Sequence, residues 1–489
     1  MNALKAEAAA GVRWTGLSSV FNAVTDAIRI VVLARFLSPL DYGLMAMVWI
    51  VIGFSQMYMD LGVSAAIIHR QDNTKEQLSS LYWLNIFLGL TVFCVIWLCT
   101  PWIPLFFREP RIVPLLRVAS VVFLIVPIGG QFEVLLQKTL SFKILAKWEM
   151  VASLCSTLVA VICAISGFGV WTLLWSFLAG VSVKTCLLSR VGFTRFRPSF
   201  HFRRSDLKGY IGFGLFQMGE RSINYIAEKL DQVLIGPLLG AEALGLYNFA
   251  LYLTSQPVSR INPILTKVAF PLFSRIQHDT ERLKRGYLQL VGLISAVNSP
   301  LLIGLAAVAP WVVPAVFGTK WSASVALVQI LSVVSLSRSI NNPIGSLQLA
   351  KGRADLGFWW NVLLLVLSIP AIYVGGKVGQ ATGVAIALLL LQICLNIPAY
   401  LLLVRPLIGK CASAYVAATM RPVALAAVMA LIVWSLGLLL RGFPVTIEIA
   451  AKIVGGGLAY ISLMLAFNSA AVAQFQSIVF GNRAALASD

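Results

Sequence analysis

The sequence predicts an all-α polytopic membrane protein of about fourteen transmembrane helices, read as two pseudo-symmetric six-helix bundles followed by two C-terminal helices. Three observations carry that expectation. Of the 489 residues, 59% are hydrophobic and only 12% are charged, with a mean hydropathy of +0.87. Soluble domains carry about 25% charged residues, so this chain has too little polar surface to coat a water-soluble globule. Apolar runs of roughly 20 residues or more recur along the whole length. Finally, the opening two-helix unit is written twice.

That unit, Asn22 to Gln71, reads as two apolar helices joined by a tight turn at Ser38-Pro39-Leu40-Asp41. A constant shift of 202 pairs Asn22 with Asn224, Asp26 with Glu228, Leu33 with Ile235, Leu37 with Leu239, Gly43 with Gly245 and Leu44 with Leu246. Thr100-Pro101-Trp102 recurs as Ala309-Pro310-Trp311, and Leu135 to Lys138 as Leu347 to Lys351; the shift drifts from 202 to about 213, as loop insertions would produce.

In chain order the expected spans are 12–37, 41–68, 77–106, 112–137, 143–166 and 168–190, then 209–236, 242–270, 286–317, 321–350, 355–376 and 380–404, and last 415–439 and 444–467. Met1 to Trp14 shows no compact apolar core with a small-residue cleavage site, so insertion is expected to start with the first span. The connections alternate in charge. One set is basic: Arg70 and Lys75; Lys138, Lys143 and Lys147; Arg190 to Lys208; Arg275 to Arg285; Lys351 and Arg353; Arg405 and Lys410. The other set is poor in charge, with Arg108 and Arg111 as its exception. By the positive-inside rule both termini are cytoplasmic, and most of the net charge of +19 follows from topology rather than from nucleic-acid binding. Both copies of the repeat start on the same side, so they are parallel. The expected organisation is an N-terminal bundle at 1–193, a basic linker at 194–208, a second bundle at 209–406, and two further helices with a tail at 407–489. The linker reads as a topology signal and a contact for anionic lipid.

An ionisable residue at a helix centre costs roughly 2.5–3.5 kcal/mol in hydrocarbon, whereas a Leu or Ile returns only about 0.5. Span seven carries Glu220, Arg221, Glu228, Lys229 and Asp231, so it cannot face lipid all round. At about 100° per residue Glu220, Arg221, Glu228 and Asp231 fall within one arc, which predicts a single wet face. Asn22, Asp26 and Arg29 share a face of span one, with Asn224 as the counterpart of Asn22. Further candidates for a watery lumen are Asp60, Arg117, Lys184, Arg260 and Arg338. The competing reading of each is a structural ion pair or a side chain reaching for the interface. The three histidines lie in or beside the basic loops, and no G-x-x-x-x-G-K-[ST] occurs, so neither an embedded metal site nor P-loop chemistry is expected. The seven cysteines form no C-x-x-C and read as small buried hydrophobes.

LARFLSPLDYGLMAM, MDLGVSAAIIHRQDNTKEQLSSLYWLN and LDQVLIGPLLGAEALGLYNFA strongly resemble the polysaccharide transport (Wzx-type) family of lipid-linked oligosaccharide flippases, in its exopolysaccharide-exporter branch. FPLFSRIQHDTERLKRGY and NNPIGSLQLAKGRADL are similar to the same branch. The family sits in the MOP superfamily with MATE transporters and the lipid II flippase. Pro237 stands where that family often carries a positive charge. The resemblance implies a V-shaped pair of bundles around a cationic central cleft. It also implies alternating access that moves an undecaprenyl-pyrophosphate-linked oligosaccharide across the bacterial inner membrane. Arg29, Arg117, Arg221, Lys229, Arg260 and Arg338 are then expected to attract pyrophosphate and acidic sugars. Asp26, Asp60, Glu220, Glu228 and Asp231 would pair with those cations or bind a coupling proton or sodium ion, with no other cofactor expected. Expected partners are the lipid-linked oligosaccharide, membrane lipids and a polysaccharide polymerase or co-polymerase. The alternatives are a MATE-type efflux antiporter for small cations, which an Arg-rich lumen disfavours, a membrane-embedded glycosyltransferase or polymerase, for which no large outside loop exists, and a scaffold for polysaccharide assembly. An enzyme is not expected.

Overall fold

A computed structural model of the chain describes residues 2–60, 63–69, 72–207, 211–440 and 442–468, and among these there is helix, turn and loop but no strand. With no water in hydrocarbon, backbone groups must pair within their own segment, and a helix is how an apolar run does so. Two compact units result, Met1–Gly245 and Leu246–Asp489.

The first unit holds α1 (Asn2–Phe36), α2 (Pro39–Asp60), α3 (Val63–His69), α4 (Lys75–Cys99), α5 (Ile103–Phe107), α6 (Ile112–Ala119), α7 (Val122–Lys138), α8 (Phe142–Ile165), α9 (Trp171–Arg195) and the opening part of α10 (Ile211–Arg275). Helix α8 packs along α1 and α9, α7 packs on α9 and α4, and α2 packs on α4 and α6. The α4 start is closed by a capping box, in which Gln77 N donates to Thr74 Oγ1 and Thr74 N donates to Gln77 Oε1.

The second unit continues α10 and adds α11 (Thr280–Val312), α12 (Ser324–Asn341), α13 (Pro343–Ala350), α14 (Ala354–Ala399), α15 (Arg405–Ile408), α16 (Ala412–Leu439) and α17 (Val445–Phe467). Its main core gathers Tyr287, Leu302, Leu336, Leu347 and Val404 from α11 to α14 and the turn beyond. A separate core of Val308, Ala426, Met429, Val433, Tyr460 and Met464 seats α16 and α17 on α11.

Among the described residues twelve helices are long and apolar enough to cross a membrane. Two of them, Asn224–Arg275 and Ala354–Ile408, run for 52 and 55 residues. A straight helix of that length would reach about 80 Å, against a hydrocarbon core of about 30 Å. Both bend. Gly240 leaves helical geometry at φ 85°, a conformation open to glycine, and the second helix breaks at Gly379 and Gln380. These are the points at which the sequence reading separates spans seven from eight and eleven from twelve.

The cysteines correct one expectation. Only Cys411 is buried, while Cys94, Cys99, Cys186 and Cys394 lie exposed on their helices. A span whose outer surface meets hydrocarbon tolerates a small apolar thiol on that surface as readily as in a core.

The repeat is written into the packing. A Cβ on Gly43 would overlap the carbonyl of Ala241, and a Cβ on Gly245 would overlap the carbonyl of Pro39. Since 39 + 202 = 241 and 43 + 202 = 245, each contact is the other's repeat image. Reciprocal contacts of this kind mark a local two-fold relation, here between the two copies of the helix-joining turn. The division of the units after Gly245, rather than in the basic linker, follows from it: the first segment of the second copy packs with the first unit.

The described part of the linker is pinned to α4. Ser80 Oγ donates to Asp206 Oδ2 at 2.7 Å, His201 Nε2 meets the same oxygen at 3.0 Å, and Arg203 N donates to Ser80 Oγ at 3.2 Å. Trp83 Nε1 donates to the Ser199 carbonyl at 2.9 Å and its ring stacks on Phe200. Arg195, Arg197, Arg203 and Arg204 stay exposed. The Ser80 hydroxyl, helped by His201, holds the Asp206 carboxyl below its ordinary range.

Two outcomes are expected. Gly43→Ala or Gly245→Ala overpacks a backbone-to-backbone crossing and should cost about 1–3 kcal/mol, read as a lower midpoint of thermal unfolding in detergent. Gly16→Ala, whose methyl meets no described atom within 4 Å, is the control, and equal midpoints for all three variants would refute the crossing. For the linker, Asp206 has a lowered pKa in the folded state, so its stabilising contribution is present above the ordinary carboxylate value of 3.8 and is lost as pH falls through the lowered one. Hydrogen exchange of 199–207, corrected for intrinsic rates, should be flat from about pH 8 to about pH 5 and rise at lower pH, whereas Asp206→Asn should be raised throughout.

Candidate functional site

In the first unit the polar face of α1 is a chain of hydrogen bonds. Arg29 Nη2 donates to Asp26 Oδ1 at 2.7 Å, and Arg29 Nη1 donates to Ser156 Oγ of α8 at 3.1 Å. Ser156 Oγ in turn donates to the Ser176 carbonyl of α9, and Thr25 meets Ser153 at 2.8 Å. Asp26 and Arg29 keep about a third of their side-chain surface exposed, at 29% and 31%. This guanidinium is paired and oriented by its own unit, with its carboxylate one turn away. The face holding Asn22, Asp26 and Arg29 is therefore real, and Asn22 adds a buried Oδ1 with no hydrogen-bond partner among the described residues.

The first segment of α10 is held by aromatic hydroxyls. Tyr225 OH donates to the Trp49 and Ile50 carbonyls of α2, and Tyr58 OH meets Ser222 Oγ at 3.1 Å. Asn224 is exposed. The predicted common charged arc divides there: Glu228 is 74% exposed, with Lys229 Nζ 3.6 Å away, while Asp231 is buried and accepts from Gln232 N. Asp231 is buried and Glu228 is not, a difference that angular spacing alone does not specify. The side chains of Asp60, Glu220 and Arg221 lie outside the described residues. Arg117 sits exposed beside α4, its guanidinium 5.2 Å from the Trp97 ring centroid.

In the second unit Arg260 lies near the middle of the Ala241–Arg275 segment of α10, and Arg338 near the middle of the span Ser324–Ala350. Both are exposed. They are carried by a buried amide network. Asn262 Oδ1 accepts from Asn298 Nδ2 at 3.0 Å and from Ser339 Oγ at 3.1 Å, and Asn262 Nδ2 donates to the Ser339 carbonyl. On the other flank Asn396 Oδ1 accepts from Ser337 Oγ and Asn341 Nδ2, and Tyr415 OH donates to Asn341 Oδ1. Serines on both sides of Arg338 thus tie α12 to α10 and to α14. Arg260 Nε donates to Gln256 Oε1 at 3.3 Å. Exposed arginines at mid-depth cost roughly 2.5–3.5 kcal/mol each against lipid, so the surface around each must meet water. A guanidinium fork on a wet, membrane-embedded surface suits an oxyanion such as a phosphate.

Embedded charges outside the sequence candidates include Glu133, Glu149, Glu448 and Lys452. Lys184, itself a sequence candidate, pairs with Glu133 of α7 at 2.9 Å, and Glu149 of α8 senses both. In α17 the fully buried Lys452 pairs with Glu448 and lies 3.0 Å from the Trp311 ring centroid. Each is an ionisable residue inside an expected span, and that alone was the signal by which to find them. Among the described residues no three His, Cys, Asp or Glu gather into a group able to hold a metal ion.

Comparison with known proteins agrees with this architecture. The "Lipopolysaccharide biosynthesis protein WzxC" of Escherichia coli (strain K12) is 33% identical over 439 residues, 90% of this chain and 89% of that protein. The "Teichuronic acid biosynthesis protein TuaB" of Bacillus subtilis (strain 168) is 33% identical over 457 residues, 93% of this chain and 94% of that one. In three dimensions the chain has the fold of the lipid II flippase MurJ in its inward closed conformation, with a TM-score of 0.74 over 94% of this chain and 100% of that chain at 12% identity. The profile of the family described as "Polysaccharide biosynthesis protein" matches residues 32–326. With twelve apolar membrane-length helices among its described residues and these relatives across nine-tenths of its length, the chain belongs to the polysaccharide biosynthesis protein family of multi-pass membrane proteins.

Proposed function

We propose that the chain is a flippase that moves a lipid-linked oligosaccharide across a membrane, a transport protein and not an enzyme. The observation that carries this reading is that Arg260 and Arg338 are both exposed at mid-depth, on helices tied together by the buried Asn262–Ser339 hydrogen bonds. A wet cationic surface inside the membrane suits a substrate whose middle is a diphosphate, whose sugar end is polar and whose tail stays in lipid. The family membership and the MurJ-like fold support the same conclusion.

The finer statements belong to the same proposal. The carrier lipid is undecaprenyl pyrophosphate and the membrane is the bacterial inner membrane. The chain crosses it fourteen times, the bends at Gly240 and at Gly379–Gln380 dividing the two longest helices, and the basic loops place both termini in the cytoplasm. The cycle is alternating access coupled to an ion gradient, and a polysaccharide polymerase receives the product. Arg29, Arg117, Arg221, Lys229, Arg260 and Arg338 are the proposed cationic contacts, with Arg29 acting through its pairing to Asp26.

The test is leaflet-resolved translocation of a fluorescent lipid-linked oligosaccharide in proteoliposomes. Arg260→Ala with Arg338→Ala should slow it about 10- to 100-fold, the loss expected for charge-assisted hydrogen bonds, without lowering the thermal midpoint. Lysine at both positions keeps the charge but not the fork, and should recover only part of the rate. No translocation by folded wild-type protein under any imposed gradient would reject the flippase reading.

A further inference from the structure

Helices α1 and α8 run side by side in the same direction: Gly11 faces Phe142, Thr25 meets Ser153, and Arg29 meets Ser156. One heptad before that last contact on each helix stand Asn22 and Glu149, about 10.5 Å nearer the basic-loop end. The register that joins Arg29 to Ser156 therefore sets Asn22 level with Glu149. Asn22 Oδ1 is a buried acceptor without a donor among the described residues. Such a group costs free energy unless some state of the protein satisfies it.

Glu149 has its own unmet need. It senses Lys184 of α9 and Glu133 of α7, and those two are already joined as an ion pair at 2.9 Å. The other nearby cations, Lys143 and Lys147 on its own helix, lie over the Trp14 ring of α1 at 5.6 and 5.7 Å. On α1 the charged neighbours one turn further along, Asp26 and Arg29, are bonded to each other. Two carboxylates and one ammonium leave a single uncompensated negative charge within the spans.

We propose that Glu149, set against the Glu133–Lys184 pair and the Asn22 amide, is a proton-binding site of the first unit, and that its proton is coupled to the transport cycle. Uptake forms one O–H bond on the carboxylate, takes the cluster from −1 to neutral, and supplies the donor that Asn22 Oδ1 lacks. Release to the cytoplasmic side restores the charge. The ligand is a proton rather than a metal cation because the Lys184 ammonium, paired with Glu133 and acting on Glu149, would repel a second cation there. The site is separate from the acidic candidates on α1 and α10. The coupling rests on the transport reading above, whereas proton binding does not.

Two measurements keep these apart. Infrared difference spectra of the substrate-free protein in nanodiscs, titrated from about pH 5 to about pH 9, should show a protonated-carboxyl band that disappears in Glu149→Gln and shifts in Asn22→Ala. A band unchanged in Glu149→Gln, or no titrating band in the wild type, overturns the site. Should the Gln variant fail to fold, Glu149→Asp retains a carboxyl: a moved titration midpoint supports the site, and an unmoved one overturns it. In proteoliposomes the wild type should be stimulated by an imposed pH gradient but not by a sodium gradient, and Glu149→Gln should lose the stimulation. Stimulation of Glu149→Gln equal to wild type, or a wild type indifferent to pH, overturns the coupling. A wild type that moves no lipid at all defeats the flippase reading instead, and leaves the infrared result to decide the proton site.

Discussion

A charge in hydrocarbon must find water or a partner, and most of the architecture of this protein is an answer to that demand. Three answers are visible. Arg29 with Asp26, and Lys184 with Glu133, are ion pairs left partly open at helix surfaces. Lys452 with Glu448 is a closed one, roofed by Trp311, where a desolvated cation–π contact adds about 2 kcal/mol. Arg338, and Arg260 with its bond to Gln256, take the third course and stay exposed at mid-depth, which is tolerable only beside water. The first two answers stabilise helix packing. The third sets guanidinium groups at the surface of the second unit.

Holding those arginines in place requires rigidity from groups that are not themselves charged. Amides and hydroxyls do this in the second unit, where Asn262, Asn298 and Ser339 form a buried knot and Ser337, Asn341, Asn396 and Tyr415 a half-buried one. In an apolar setting a satisfied hydrogen-bond network fixes geometry that apolar contacts alone leave adjustable, because any slip strands a donor or acceptor. The first unit relies more on close backbone approach. Gly43 and Gly245 let two copies of the same turn meet carbonyl to Cα, and no side chain fits there.

Relatives named for lipopolysaccharide and teichuronic acid biosynthesis share about a third of their residues with this chain. Those two polymers are chemically different. This chain is thus similar over nine-tenths of its length to proteins named for two different polymers.

Composition and the 202-residue repeat were enough to establish an all-helical membrane protein with a duplicated opening unit, because apolar length and periodicity depend only on order along the chain. They also placed the bends in the two longest helices and the shared face of Asn22, Asp26 and Arg29, which angular spacing dictates. Partners across helices were not legible. Nothing in the order of residues says that Arg29 bonds Ser156, that Lys184 takes Glu133 rather than Glu149, or that Asp231 turns inward as Glu228 turns out. Those outcomes depend on the register and rotation of one packed helix against another. That register is decided by side-chain volume and close glycine contacts from distant parts of the chain, so only the tertiary structure could supply it.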